Sequence, residues 1–127
     1  MNEDDVLRTQ RGDALRNLIE LRTSLTEAVA ALARFEWDSD TELVVLTRLD
    51  GMRLLRRYRE HDLTAHECQR WAEALEGRDD VGLEPGFEDT IKEFLFEIAT
   101  PELAGELTPE LASGWERTLG TADGHRT

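Results

Sequence analysis

Apolar positions recur along this chain mostly at the three- and four-residue spacing of helices. From Leu15 the series runs through Leu18, Ile19, Leu25, Val29 and Leu32. Within it, Ser24-Leu25-Thr26-Glu27 has the form of a capping box that would start a second helix, while the same pattern also accommodates one unbroken helix. Leu49, Met52, Leu55 and Tyr58 form a further stripe, and Ala65, Cys68, Trp71, Ala72 and Leu75 the next. Phe87, Ile91, Phe94, Leu95 and Ile98 make the strongest, and Leu111, Ala112, Trp115 and Leu119 close the set. Leu43-Val44-Val45-Leu46 is the single β-like run; four residues make no sheet alone, so it reads as a buried helical or extended connector.

Polar residues punctuate these stripes. Thr47, Thr64 and Thr108 each follow a leucine and precede an acid, the arrangement in which a threonine oxygen accepts from a free N–H of the first turn. Glu67 stands three residues after Thr64 and completes a capping box, and Pro109 suits the first helical position. Gly77 and Gly120 read as helix stops, and Thr100-Pro101 as a break. Residues 1–12 are polar and read as a frayed N-terminus, with Gly12 in a turn and Asp13 as an N-cap. The integrin-type tripeptide Arg11-Gly12-Asp13 adds nothing to that. Residues 121–127 read as a disordered tail. The expectation is an all-α single domain over residues 13–120, a compact bundle of five or six amphipathic helices.

Composition changes this picture through charge. The chain of 127 residues carries a net charge of -13, and it is unevenly spread. Residues 48–59 hold five arginines against Asp50, whereas residues 60–97 hold twelve acids against Arg70, Arg78 and Lys92. That balance opposes binding to nucleic acid or to an anionic membrane, and it suits a basic protein partner. One cysteine, Cys68, excludes an internal disulfide framework and fits a reducing compartment. The N-terminus has neither the basic nor the apolar region of a secretory signal, and no apolar run spans a bilayer. The expected location is the cytoplasm.

Candidate chemistry is sparse. His66-Glu67 begins like a zincin helix, but Arg70 occupies the place of the second histidine. His61 and His66 flank a helix start and Cys68 points to an apolar face, so no metal site is expected. The turn Phe35-Glu36-Trp37-Asp38-Ser39-Asp40 lacks the glycine and terminal glutamate of a calcium loop. The pair of helices around residues 48–60 and 65–76 is no DNA-reading helix-turn-helix, because the second carries Glu67, Glu73 and Glu76 against Arg70 alone. No nucleophile elbow, phosphate loop or cofactor motif is present.

Asp89, Glu93 and Glu97 lie at i, i+4 and i+8 on the strongest helix, with Phe96 beside them. Like charges so spaced repel, so something should answer them. Internal pairing with Arg53, Arg56 and Arg57 is the favoured reading; the alternative is a partner's basic surface with Phe96 as anchor. The partner surface is then expected near the turn, at Asp79, Asp80 and Glu84.

Phe35-x-Trp37-Asp38-Ser39-Asp40, Leu63-Thr64, Trp71-Ala72 and Glu76-Gly77-Arg78-Asp79-Asp80 together resemble a group of small, acidic, all-helical bacterial proteins, over roughly residues 30–115. The resemblance implies no activity, cofactor or catalytic residue. The functional expectation is a non-enzymatic protein-interaction module, immunity- or antitoxin-like, that masks a basic partner. The alternative is a small-molecule or anion-binding helical protein, or an enzyme, with its site lined by Arg53, Arg56 and Arg57.

Overall fold

A computed structural model describes residues 2–120, and the tail expected at 121–127 lies outside the described residues. The Asn2 side chain accepts from the Asp5 N–H at 2.8 Å, and three acids in the first turn lie at the positive end of the helix dipole. Helix α1 (Glu3–Ile19) therefore starts ten residues before the expected domain boundary. Residues 3–12 are helix rather than a frayed segment, Gly12 is buried within it, and Asp13 is an exposed interior position instead of a cap. The pattern concealed this because residues 2–10 are all exposed, so no apolar stripe marks them.

The break after α1 resolves the question of one helix or two. Arg22 N–H donates to Asn17 C=O and Leu21 N–H to Leu18 C=O, closing a Schellman motif with Leu21 at φ 56°. Ser24 then caps α2 (Leu25–Leu32) by accepting from the Glu27 N–H at 3.2 Å. After an irregular stretch, residues 33–43, come β1 (Val44–Leu46), α3 (Arg48–Arg59) and α4 (Ala65–Leu75). The chain continues through β2 (Val81–Leu83), α5 (Glu88–Ala99), the short α6 (Pro101–Ala104) and α7 (Pro109–Leu119).

The fold is all-α, with seven helices among the described residues. Thr47, Thr64 and Thr108 cap α3, α4 and α7 as their spacing predicts, the first two in full capping boxes. The extended connector is a strand: Val44, Val45 and Leu46 pair in parallel with Val81, Gly82 and Leu83. This two-stranded pairing closes a loop that contains α3 and α4.

Trp71 and Phe94 lie at the centre of the core. Trp71 is fully buried, with its indole N–H donating to Leu18 C=O at 3.1 Å. Phe94 meets Trp71 and Trp115 edge-on, at centroid distances of 6.4 and 5.3 Å. Cys68 packs among them, and burial pushes its thiol up to about 12, so it serves as a small hydrophobe.

The stripe on α3 is rotated from the expected one. Leu49 is 68% exposed, whereas Leu54 and Leu55 are buried. Gly51 explains the rotation, since it lets α3 close on α7. A Cβ there would stand 2.9 Å from Leu119 Cδ1 and 3.0 Å from Phe94 Cε2. On α7, Leu111 likewise faces outward while Ala112 and Leu119 are buried.

Candidate functional site

The acidic turn between α4 and β2 is built around a buried carboxylate. Gly77, at φ 81°, lets the chain leave α4 in a left-handed step that a side chain would strain. Arg78 and Asp80 then turn inward, and both are buried. Asp80 accepts from Arg78 Nε at 2.9 Å and Nη2 at 3.1 Å, and from Arg11 Nε at 2.7 Å. Both arginines also reach the chain at 36–38. Arg78 Nη2 donates to Glu36 C=O at 2.9 Å, and Arg11 Nη2 donates to the Glu36 and Asp38 carbonyls at 2.7 and 2.8 Å. Asp79 N–H donates to Trp37 C=O at 3.1 Å, and the Arg78 guanidinium lies 4.8 Å from the Trp37 ring centroid.

Burial alone would raise the Asp80 pKa. The hydrogen bonds and charges of Arg78 and Arg11 outweigh it and hold the carboxyl below the usual range. Asp80 is therefore a structural anion and cannot meet a partner, contrary to its sequence assignment. Glu84 is engaged as well. It accepts from Arg48 Nε at 3.1 Å, from Arg48 Nη2 at 3.0 Å and from the Arg48 backbone at 2.9 Å, while the same guanidinium stacks 3.6 Å from the Phe87 ring centroid. The Arg48 hydrogen bond lowers the Glu84 pKa against the opposing effect of burial. Of the three turn acids, only Asp79 is exposed.

The acidic row on α5 stands apart from the arginines expected to answer it. Arg53 binds Asp50 on its own helix at 2.8 Å. Arg57 donates to Leu21 C=O at 3.3 Å and lies 4.0 Å from Asp62, and Arg56 is exposed. Among the described residues no cation lies within 4.0 Å of Asp89, Glu93 or Glu97. The physical reason is the packing: α3 lies chiefly against α7, and α5 chiefly against α4, so the two charged faces do not meet. Asp89 and Glu93 are exposed, Glu97 is half-buried, and Phe96 is 45% exposed beside them.

Two clefts flank the 33–41 chain that the Arg11–Asp80–Arg78 cluster holds. The larger, about 680 Å³, runs between the exposed end of α1 at Leu7 and Arg8 and the chain at Asp38 to Thr41. The smaller, about 280 Å³, lies between α2, α4, Phe35 and Trp37. Arg53, Arg56 and Arg57 line neither. Arg11 as a site residue was not legible in the sequence, since it is one of two arginines, with Arg8, in a stretch without periodicity.

Among the described residues no group of three histidine, cysteine or acidic side chains is disposed to hold a metal ion. No described helix is long and apolar enough to cross a membrane. Comparisons with protein-family models, with curated proteins and with solved structures yield no match.

Proposed function

We propose that this chain is a binding module rather than an enzyme, and that the α5 face bearing Asp89, Glu93, Glu97 and Phe96 covers a basic surface of another protein. An immunity protein or antitoxin works in this way. The observation that carries the reading is the unanswered acidic row. Three like charges one turn apart repel one another, and among the described residues no cation lies within 4.0 Å of any of them, yet an apolar ring stands exposed at their side. An aromatic anchor rimmed by charges of one sign is the form taken by interfaces that select partners of opposite charge. The turn acids contribute only Asp79, because Asp80 and Glu84 already hold arginines.

The test is a comparison of proteins retained by the immobilised chain, by its Phe96→Ala variant and by its Glu93→Gln/Glu97→Gln variant, at low and high salt, with mass-spectrometric identification. The expected result is a basic protein retained by the parent at low salt and lost from both variants. Retention that neither variant nor salt disturbs would remove α5 from the interface. A neighbouring gene encoding a basic toxin-like protein would supply the partner for direct titration.

A further inference from the structure

We propose that the smaller cleft, between α2, α4 and Trp37, binds a small apolar carboxylate. Its walls are apolar: Val29 and Leu32 come from α2, with Phe35 and Trp37 from the chain that follows. Arg70 stands on its rim and Arg78 lines it. A volume of about 280 Å³ suits a ligand of one ring or a short branched chain.

Charge selects the ligand's head. Two guanidiniums, Arg11 and Arg78, share the single carboxylate of Asp80, which leaves that cluster with one positive charge uncompensated by a side chain. Arg78 is buried, and its Nε and Nη2 hydrogens are all committed to Asp80 and Glu36. Its Nη1 hydrogens find no acceptor among the described residues, although a guanidinium offers five donors. Arg70 adds a second positive charge. Its contact is a 3.4 Å donation to Thr26 Oγ1, and no carboxylate lies within 4.0 Å of it among the described residues. Glu73 is the opposing charge on the same rim, and Gln69 donates to it at 3.0 Å. In a chain of net charge -13, a cleft with more guanidinium than carboxylate beside two aromatic rings stands out. A carboxylate would take the free guanidinium hydrogens while an apolar body lies against Phe35 and Trp37. The larger cleft offers no such combination, since Asp4, Glu36, Asp38 and Asp40 line it alongside its arginines.

The probes are 4-phenylbutyrate and its uncharged amide, titrated calorimetrically into the full chain, with tryptophan fluorescence read in parallel. The acid should bind saturably to one site, at least about tenfold tighter than the amide, as expected of a charge-assisted contact. Arg70→Met should remove most of that preference while leaving the amide unaffected. Ala33→Phe, a change at an exposed position on the cleft wall, should weaken both, and Trp37→Phe should abolish the fluorescence response. Equal affinity for acid and amide would overturn the assignment, as would saturable binding unaffected by Ala33→Phe, or no saturable binding of either probe at millimolar concentration. Arg70, Ala33 and Trp37 lie outside α5, so these outcomes are independent of the partner surface proposed above.

Discussion

Arg11 and Asp80 lie 69 residues apart in sequence and meet at 2.7 Å, with the carboxylate fully buried and shared with Arg78. Through this contact the first helix grips the turn before β2, and the two arginines together hold the chain at Glu36 and Asp38. Trp37, which walls the proposed carboxylate cleft, owes its position to the same cluster.

The first prediction concerns that cluster and pH. The folded Asp80 pKa is depressed below the ordinary 3.8, so between those two values the unfolded chain binds more protons than the folded one. The stability that Asp80 contributes is thus fully present above about pH 4 and lost as pH falls through its folded value. Asp80→Asn should cost about 3–5 kcal/mol at neutral pH, because it leaves the buried Arg78 guanidinium and the partly buried Arg11 guanidinium without their anion. It should also flatten the acid limb of a urea-unfolding stability profile, though not remove it, since Glu84 is depressed in the same direction. A variant less than about 1 kcal/mol weaker, with an unchanged acid limb, would mean that the cluster does not hold the turn.

His61 gives a prediction of opposite sign. It sits at φ 67° in the Schellman motif that ends α3, with its N–H donating to Tyr58 C=O and that of Asp62 to Arg57 C=O. A left-handed conformation costs a residue with a Cβ about 1–2 kcal/mol, and His61 is exposed, so its side chain returns little packing. His61→Gly should raise stability by up to about 1 kcal/mol in chemical denaturation. Leu21 occupies the matching place after α1 but is buried, so Leu21→Gly should destabilise instead.

How far these features could be read from sequence depends on their range. The threonine caps involve residues three apart, and each formed where its spacing placed it. The stripe through Cys68, Trp71, Ala72 and Leu75 likewise needed only the period of one helix. The parallel pairing of Val44–Leu46 with Val81–Leu83 was hidden, because each strand has three residues and its partner lies beyond two helices. The rotation of α3 was hidden too. Apolar residues at 49, 52, 54, 55 and 58 permit two faces, and the choice between them rests on Gly51 meeting α7. On the candidate site, Phe96 and the acidic row were legible as a helical face. The burial of Asp80 was not, since its partner Arg11 lies in a helix with an exposed first half.

Gly51 carries the third prediction. The position is buried, and a methyl group there would press on Leu119 and Phe94 at distances tighter than ordinary van der Waals contact. Alanine is intrinsically the better helix former by roughly 1 kcal/mol, so propensity alone would make Gly51→Ala stabilising. Overpacking a core costs about 1–3 kcal/mol and should prevail, because both opposing side chains are themselves buried. Gly12→Ala is the control. It is also buried in a helix, but its nearest neighbour is the flexible end of Arg16 at 3.2 Å, so it should be neutral or stabilising. Thermal melts of the two variants should move apart; melts that rise together would show that α3 and α7 have room at Gly51.

The last prediction decides what the acidic row does within the fold. If Asp89, Glu93 and Glu97 paired with Arg53, Arg56 and Arg57, neutralising Glu93 and Glu97 would lower stability, and the loss would shrink once Arg56 and Arg57 were neutralised too. The structure separates the two faces, because α5 packs on α4 while α3 packs on α7. Glu93→Gln/Glu97→Gln should therefore leave stability unchanged or raise it by a few tenths of a kcal/mol, about the repulsion of one pair of like charges a helical turn apart. In a double-mutant cycle with Arg56→Gln/Arg57→Gln, the coupling should stay under about 0.5 kcal/mol, the level expected of groups out of contact. Coupling of 1 kcal/mol or more would show that the arginines answer the row after all, and would remove the unanswered charge on which the partner surface rests. A gain in stability without coupling would leave α5 as a face that the folded chain tolerates at a small cost, consistent with a charge pattern retained for an external contact.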